Sequence, residues 1–216
     1  MKSKSTSKST RALRTLSSRD GILRAARRLL IRTGHEQLSL REVARAARLA
    51  PSSLYEHFSN REALLEALAV EALHDLRKAL LAACNVGGGF LERLLSAAMT
   101  YLEFSVKRRS EFELIFSRPR PTDQVEPPAD SPLLPIVIEI ARALGSGECL
   151  APAGQNALDM AFSLWAQVHG MAVLRSRYLA NTIGFEDKAR QILSATLLAW
   201  SSKGALATTV PQSDAR

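Results

Sequence analysis

Three times in this chain a serine stands three residues ahead of a glutamate at the opening of an apolar pattern of helical spacing: Ser39–Glu42, Ser59–Glu62 and Ser110–Glu113. In such a pair the hydroxyl accepts from an amide of the first turn and the carboxylate reaches back to the cap, so each pair predicts a helix start. Ahead of the first pair, Ile22, Ala25, Ala26, Leu29 and Leu30 follow the i, i+3, i+4, i+7, i+8 spacing of one buried helix face. Ser17 or Ser18 suits the start of that helix, and Gly34 suits the left-handed residue that ends it. The Ser39 helix turns Val43, Ala44 and Ala47 inward, and Pro51 fits the first position of a short third helix. Ser59 opens a longer helix through Leu64, Leu65, Leu68, Leu73, Leu76 and Leu80. Helices this close, joined by a few residues each, make a small bundle.

Gly87-Gly88-Gly89 is the next break. Phe90, Leu91, Leu94, Leu95, Ala98, Tyr101 and Leu102 then repeat at helical spacing, and the Ser110 pair leads into Phe112, Leu114, Ile115 and Phe116. Six of the nine prolines fall between 119 and 135, which marks that stretch as the main loop. The β-branched run from Pro135 to Ile140 reads as strand or helix; with no pairing partner elsewhere, helix is favoured. Two long helical patterns follow, over about 154–180 and 185–203. The chain reads as all-α, with about nine helices.

Composition excludes several classes. A hydrophobic fraction of 46% over 216 residues supplies a real core, so the chain as a whole is not disordered. No apolar run approaches the ~18–20 residues of a membrane helix. The basic N-terminus lacks the apolar segment of a signal peptide. Cys84 and Cys149 form no disulfide framework or metal-ligand spacing. The expectation is a cytoplasmic protein without metal or cofactor. Charge placement is more telling: residues 1–60 carry thirteen Lys and Arg against four Asp and Glu, a net +9, and residues 61–216 carry sixteen against seventeen, a net −1. That asymmetry points to a polyanion-binding module joined to one with a different task.

Two short helices joined by a tight turn, the second opening at Pro51, describe a helix-turn-helix, whose second helix enters the DNA major groove by its N-terminal residues. Ser52 and Ser53 are small donors suited to base edges; Tyr55 and His57 carry polar tips on aromatic bodies; Arg61 opens the next helix beside the phosphate line. Leu54 and Phe58, at i and i+4, point back into the bundle. Histidine at 57 reads equally as a hydrogen bond within the bundle.

The stretch from Leu40 to Phe58 (LREVARAARLAPSSLYEHF), with Ile22-x-x-Ala-Ala26 before it and Arg61-Glu-Ala-Leu-Leu65 after it, resembles the DNA-binding domain of TetR-type bacterial transcriptional regulators over residues 18–66. The resemblance implies a homodimer on a palindromic operator, repression, and release by a small apolar effector bound in a C-terminal helical ligand-binding and dimerisation domain. By matching position it assigns Ser52, Ser53, Tyr55, His57 and Arg61 to DNA; Arg41 and Arg48 join them as cations of the patterned region. Trp165-Ala-Gln-Val-His169-Gly170 resembles the Trp…His-Gly signature of one class of such ligand-binding domains. Two positions depart from the family pattern, Arg48 where glycine is usual and Ala50 where serine is usual. An arginine held left-handed there costs about 1 kcal/mol, and its head reaches towards a phosphate. The expected division is a disordered basic arm at 1–16, a three-helix DNA-binding bundle at 17–64, an effector and dimer domain at 65–206, and a tail at 207–216. The arm reads either as inert or as a minor-groove contact through Arg11 and Arg14.

Within the second domain the apolar residues around 157–174 leave almost no polar face, so one side needs a partner. Leu164, Val168 and Met171 with Leu193, Leu197 and Trp200 are the expected two-fold interface. Met99, Tyr101, Phe104, Phe116, Phe162, Trp165 and His169 are candidate cavity residues, with ordinary core packing as the competing reading. Two other functions compete: a sequence-neutral nucleic-acid binder, and a helical enzyme, for which the scattered His35, His57, Asp75 and His169 form no catalytic motif.

Overall fold

A computed structural model describes residues 19–117, 131–179 and 182–201. The expected arm, tail, Ser17 and Ser18 lie outside the described residues. Among those described there are nine helices and no strand. They are α1 (Arg19–Gln37), α2 (Leu40–Ala47), α3 (Pro51–Tyr55), α4 (Arg61–Cys84), α5 (Phe90–Lys107), α6 (Arg109–Phe116), α7 (Leu134–Ser146), α8 (Ala157–Arg177) and α9 (Phe185–Trp200). A single antiparallel bridge joins Cys149 to Ser201. The β-branched run at 136–140 is helical, in α7.

Two compact units divide the chain. The first holds the described residues up to Ala72 together with those from Arg108 to the end of α6; the second holds Leu73 to Lys107 and the described residues beyond the proline-rich segment. In the first unit Ile22, Leu23, Ala26 and Leu30 of α1 close over Val43 and Ala44 of α2, with Leu54, Phe58, Leu64 and Leu68 completing the core. Gly34, at φ 77° and ψ 169°, breaks α1 near its end. Ser39 caps α2, its Oγ accepting from the Glu42 amide at 3.3 Å and donating to the Glu42 carboxylate at 2.8 Å.

Two of the three expected caps lie elsewhere. At α4 the cap is Asn60, whose Oδ1 accepts from the Ala63 amide at 2.8 Å, rather than Ser59. At α6 the helix has already begun at Arg109 and Ser110 is inside it, so no side chain caps it. What holds α6 is Leu114, fully buried in the first unit's core, together with Glu111, 3% exposed, which accepts from Arg27 Nε on α1 at 2.5 Å and from Arg108 Nε and Nη2 at 2.5 and 2.8 Å. A carboxylate that deep is stable only when its charge is matched, and the match on α1 places α6 in the first unit. A capping box absent from the sequence reading, Asn156 with Asp159, opens α8: Oδ1 of Asn156 accepts from the Leu158 and Asp159 amides at 2.9 and 3.1 Å, and Asp159 accepts from the Asn156 amide at 2.9 Å.

In the second unit α5 packs on α7, α8 and α9. Leu94, Ala97 and Tyr101 of α5 meet a core that includes Ile140, Met160, Leu164, Leu193 and Leu197. Arg93 joins α5 to α7 and the turn after it, donating to Glu139 and Glu148 at 2.7 Å each. No described helix is long and apolar enough to cross a membrane, and no group of His, Cys, Asp or Glu among the described residues is placed to hold a metal.

Candidate functional site

The turn between α2 and α3 is built on Arg48, which takes φ 58° and ψ 42° and is the one non-glycine residue with positive φ among those described. Its amide reaches Arg45 O at 3.1 Å and the Leu49 amide reaches Ala44 O at 2.9 Å. This is the double bond of a helix end closed by a left-handed residue. Ala50 follows, extended (φ −64°, ψ 144°), and as expected offers no side-chain cap to α3; Pro51 supplies the preset φ instead.

α3 is only five residues long, and burial holds it: Leu54 is 1% exposed and Phe58 3%. With those two fixed inward, Tyr55 is turned out at 53% exposure, Ser52, Glu56 and His57 are exposed, and Ser53 is half-buried. Arg41 and Arg45 sit at i and i+4 on the exposed side of α2 opposite Val43, Ala44 and Ala47, and exposed Arg48 follows at the left-handed cap. The side chains of these three arginines, of Ser52, Tyr55 and His57 make no bond to other described residues. The sequence reading did not single out Arg45; the i+4 step from Arg41 is the signal that finds it. Glu56 is an acid on the reading helix that it likewise passed over.

Arg61 is corrected. Its guanidinium turns back onto the chain leaving α1: Nε donates to Leu38 O at 2.8 Å, Nη2 to His35 O at 2.5 Å and Glu36 O at 3.1 Å, and Nη1 to the Glu62 carboxylate at 2.8 Å. Carbonyls left unpaired by the break at Gly34 draw the cation inward, so Arg61 clamps the bundle with four of its five donors.

In the second unit Tyr101, Trp165 and His169 come together. The Tyr101 hydroxyl lies 2.8 Å from His169 Nδ1, and Trp165 stacks on the imidazole at 5.2 Å with 28° between planes. Tyr101 and Trp165, with Leu80, Ala98, Ile136 and Leu164 among others, line a cavity of about 20 Å³. Burial pushes the Tyr101 phenol well above its ordinary value, with a hydrogen bond from Trp165 opposing, and burial holds the His169 imidazole below its own. The other four cavity candidates are elsewhere. Phe104 is in the core, Met99 lines a separate groove of about 660 Å³, and Phe162 is 56% exposed. Phe116 lies in the first unit beside Phe112 at 4.8 Å, because α6 follows Glu111 onto α1.

The expected interface residues are also corrected. Leu164, Val168, Leu193, Leu197 and Trp200 are buried within the protomer, each at 8% exposure or less, and Met171 is half-buried. Apolar on both sides, α8 gives its sequence no mark of which side faces home. The outward side carries Phe162, Ala166, Gly170 and Leu174, and α9 adds Ile192, Ala195 and Leu198.

Two family models match this chain, one described as bacterial regulatory proteins of the tetR family over residues 22–68 and one as a tetracyclin repressor-like C-terminal domain over residues 94–199. The chain belongs to the TetR family of bacterial regulatory proteins. It is a transcriptional regulator of that family, with α2 and α3 as its helix-turn-helix. An uncharacterized HTH-type transcriptional regulator of Haemophilus influenzae is 29% identical over 168 residues, 68% of this chain and 80% of that protein. Among solved structures, a Rhodococcus sp. RHA1 protein of unknown function aligns with a TM-score of 0.72 at 24% identity, over 83% of this chain and 93% of that one. AibR in complex with isovaleryl coenzyme A and operator DNA aligns with a TM-score of 0.57 at 20% identity, over 82% and 96%. At these identities the structural likenesses establish the TetR fold alone.

Proposed function

We propose that this TetR-family regulator is a cytoplasmic repressor that binds a palindromic operator as a homodimer and leaves it when a small apolar effector enters the cavity beside Tyr101. The observation that carries the DNA reading is the short helix α3, pinned by Leu54 and Phe58, with Ser52, Tyr55 and His57 turned out beside the Arg41, Arg45 and Arg48 stripe. In this reading Ser52 and Ser53 meet base edges, Tyr55 and His57 flank them, and the three arginines meet phosphate. The AibR complex, holding both operator DNA and isovaleryl coenzyme A on the same fold, supports a dual reading of DNA and ligand.

The dimer forms through the outward sides of α8 and α9, where Ala166 and Gly170 allow close helix approach and Phe162, Leu174 and Leu198 supply apolar area. Selection of bound fragments from random DNA tests the reading in one step. A symmetric consensus with half-sites one helical turn apart is expected. A preference for the selected site of less than ~10³ over random DNA points instead to sequence-neutral binding.

A further inference from the structure

The cavity between α5, α7 and α8 has a chemistry that narrows its occupant. None of the nine residues lining it is charged: the walls are Leu80, Ala97, Ala98, Pro132, Ile136, Leu164 and Val168, closed by the rings of Tyr101 and Trp165. An ion placed there finds no countercharge and leaves water without compensation. Two aromatic walls favour a flat ring over a branched chain.

Two lining residues carry polar groups, the hydroxyl of Tyr101 and the indole N–H of Trp165. The Tyr101 hydroxyl is 2.8 Å from His169 Nδ1, and the imidazole is fixed on its other side by stacking on Trp165 at 5.2 Å. A neutral imidazole exists as two tautomers. With the proton on Nδ1, histidine donates to the phenol oxygen and the phenol proton is left to give to a ligand. With the proton on Nε2, the phenol donates to Nδ1 and its oxygen accepts from a ligand. The pair therefore presents a donor or an acceptor from one position without moving a heavy atom, a property neither side chain has alone.

We propose that this cavity binds an uncharged aromatic or alicyclic ring bearing one hydrogen-bonding group, anchored on the Tyr101 hydroxyl and adapted by the tautomer of His169. The inference rests on the reading of this cavity as the effector site and names the ligand class that site accepts. The cavity as it stands is water-sized, at about 20 Å³. A ring must therefore displace Leu80, Ile136 or Val168 to enter, and modest affinities follow.

The test uses the full chain and three one-ring probes, toluene, 4-methylphenol and 4-methylbenzoate, by calorimetry and thermal shift, with affinity for the selected operator measured in parallel. Expected is 4-methylphenol binding at least ~5-fold tighter than toluene, the worth of one hydrogen bond. The benzoate is expected to bind at least ~100-fold more weakly than the phenol, the charge having no partner. Tyr101→Phe is expected to bring 4-methylphenol down to the affinity of toluene and to leave toluene within about 2-fold. Benzoate binding as tightly as the phenol, or a Tyr101→Phe protein that still prefers the phenol, overturns the inference. So does a folded, operator-binding protein that takes none of the three. Should Tyr101→Phe fail to fold, the ranking of the three probes on the unaltered chain decides alone. Probes that bind in the expected order and leave operator affinity unchanged uphold the ligand class and sink the effector reading.

Discussion

Replacing Arg48 by glycine moves stability and DNA affinity in opposite directions. Arg48 closes α2 at φ 58° and ψ 42°, where its Cβ crowds the backbone. That conformation costs an L side chain about 1–2 kcal/mol, and glycine adopts it freely. Glycine returns about 0.5–1 kcal/mol of this through the larger entropy of its unfolded chain, so a net gain of about 0.5–1 kcal/mol remains. For a chain of this length that is a rise in Tm of about 1–4 °C, with the urea midpoint raised and the slope unchanged. The amide bonds from residues 48 and 49 to Arg45 O and Ala44 O survive, because they are backbone bonds. The guanidinium does not, and with it goes one phosphate contact per protomer. The slope of log affinity against log salt is then reduced by about 1 for each protomer bound, about 2 for a dimer. Fluorescence anisotropy on operator DNA between 50 and 300 mM salt, beside thermal unfolding of the free protein, reads both. Arg48→Gln separates the causes, keeping the strain and removing the charge. An unchanged salt slope in Arg48→Gly removes Arg48 from the DNA contact, and a Tm that falls shows that the left-handed arginine carries no strain.

Gly170 has open space where a Cβ would stand, so Gly170→Glu leaves the protomer folded and yields a monomer in sedimentation if the outward side of α8 is the interface; an intact dimer moves that interface elsewhere. Arg61→Met loses the bonds to Leu38, His35 and Glu36 carbonyls and costs about 1–2 kcal/mol of stability, while the salt slope of DNA binding stays the same. A shallower slope restores Arg61 to the phosphate line. His169 is held below its ordinary pKa by burial, so the unfolded chain binds its proton more readily. Its contribution is complete above about pH 6.5 and is lost as pH falls below that value. The drop in Tm between pH 7.5 and 5.5 is therefore smaller in His169→Gln than in the parent chain, and a larger drop reverses the assignment.

What the sequence determined by itself was local. Helix starts, the short reading helix and the strained turn at Arg48 depend on residues within one or two turns of each other, where apolar spacing and φ preference act without help from the rest of the chain. Even so, Asn60 displaced Ser59 as a cap, starting the helix one residue later and satisfying the Ala63 amide in place of that of Glu62. The tertiary structure decided whatever required two equivalent options to be told apart. Arg61 had phosphate or bare carbonyls to choose from, and the kink at Gly34 supplied the carbonyls. α8 had two apolar sides, and packing on α5, α7 and α9 hid Leu164 and Val168 and left Phe162 and Leu174 outside. α6 joined the first unit because Leu114 entered its core and Glu111 found Arg27, 84 residues away in the chain. Tyr101 and His169, 68 residues apart, became partners only through the crossing of α5 and α8. Periodicity shows that a side chain is turned inward; which neighbour it meets is set by contacts between distant segments, and those carry no mark in the local pattern.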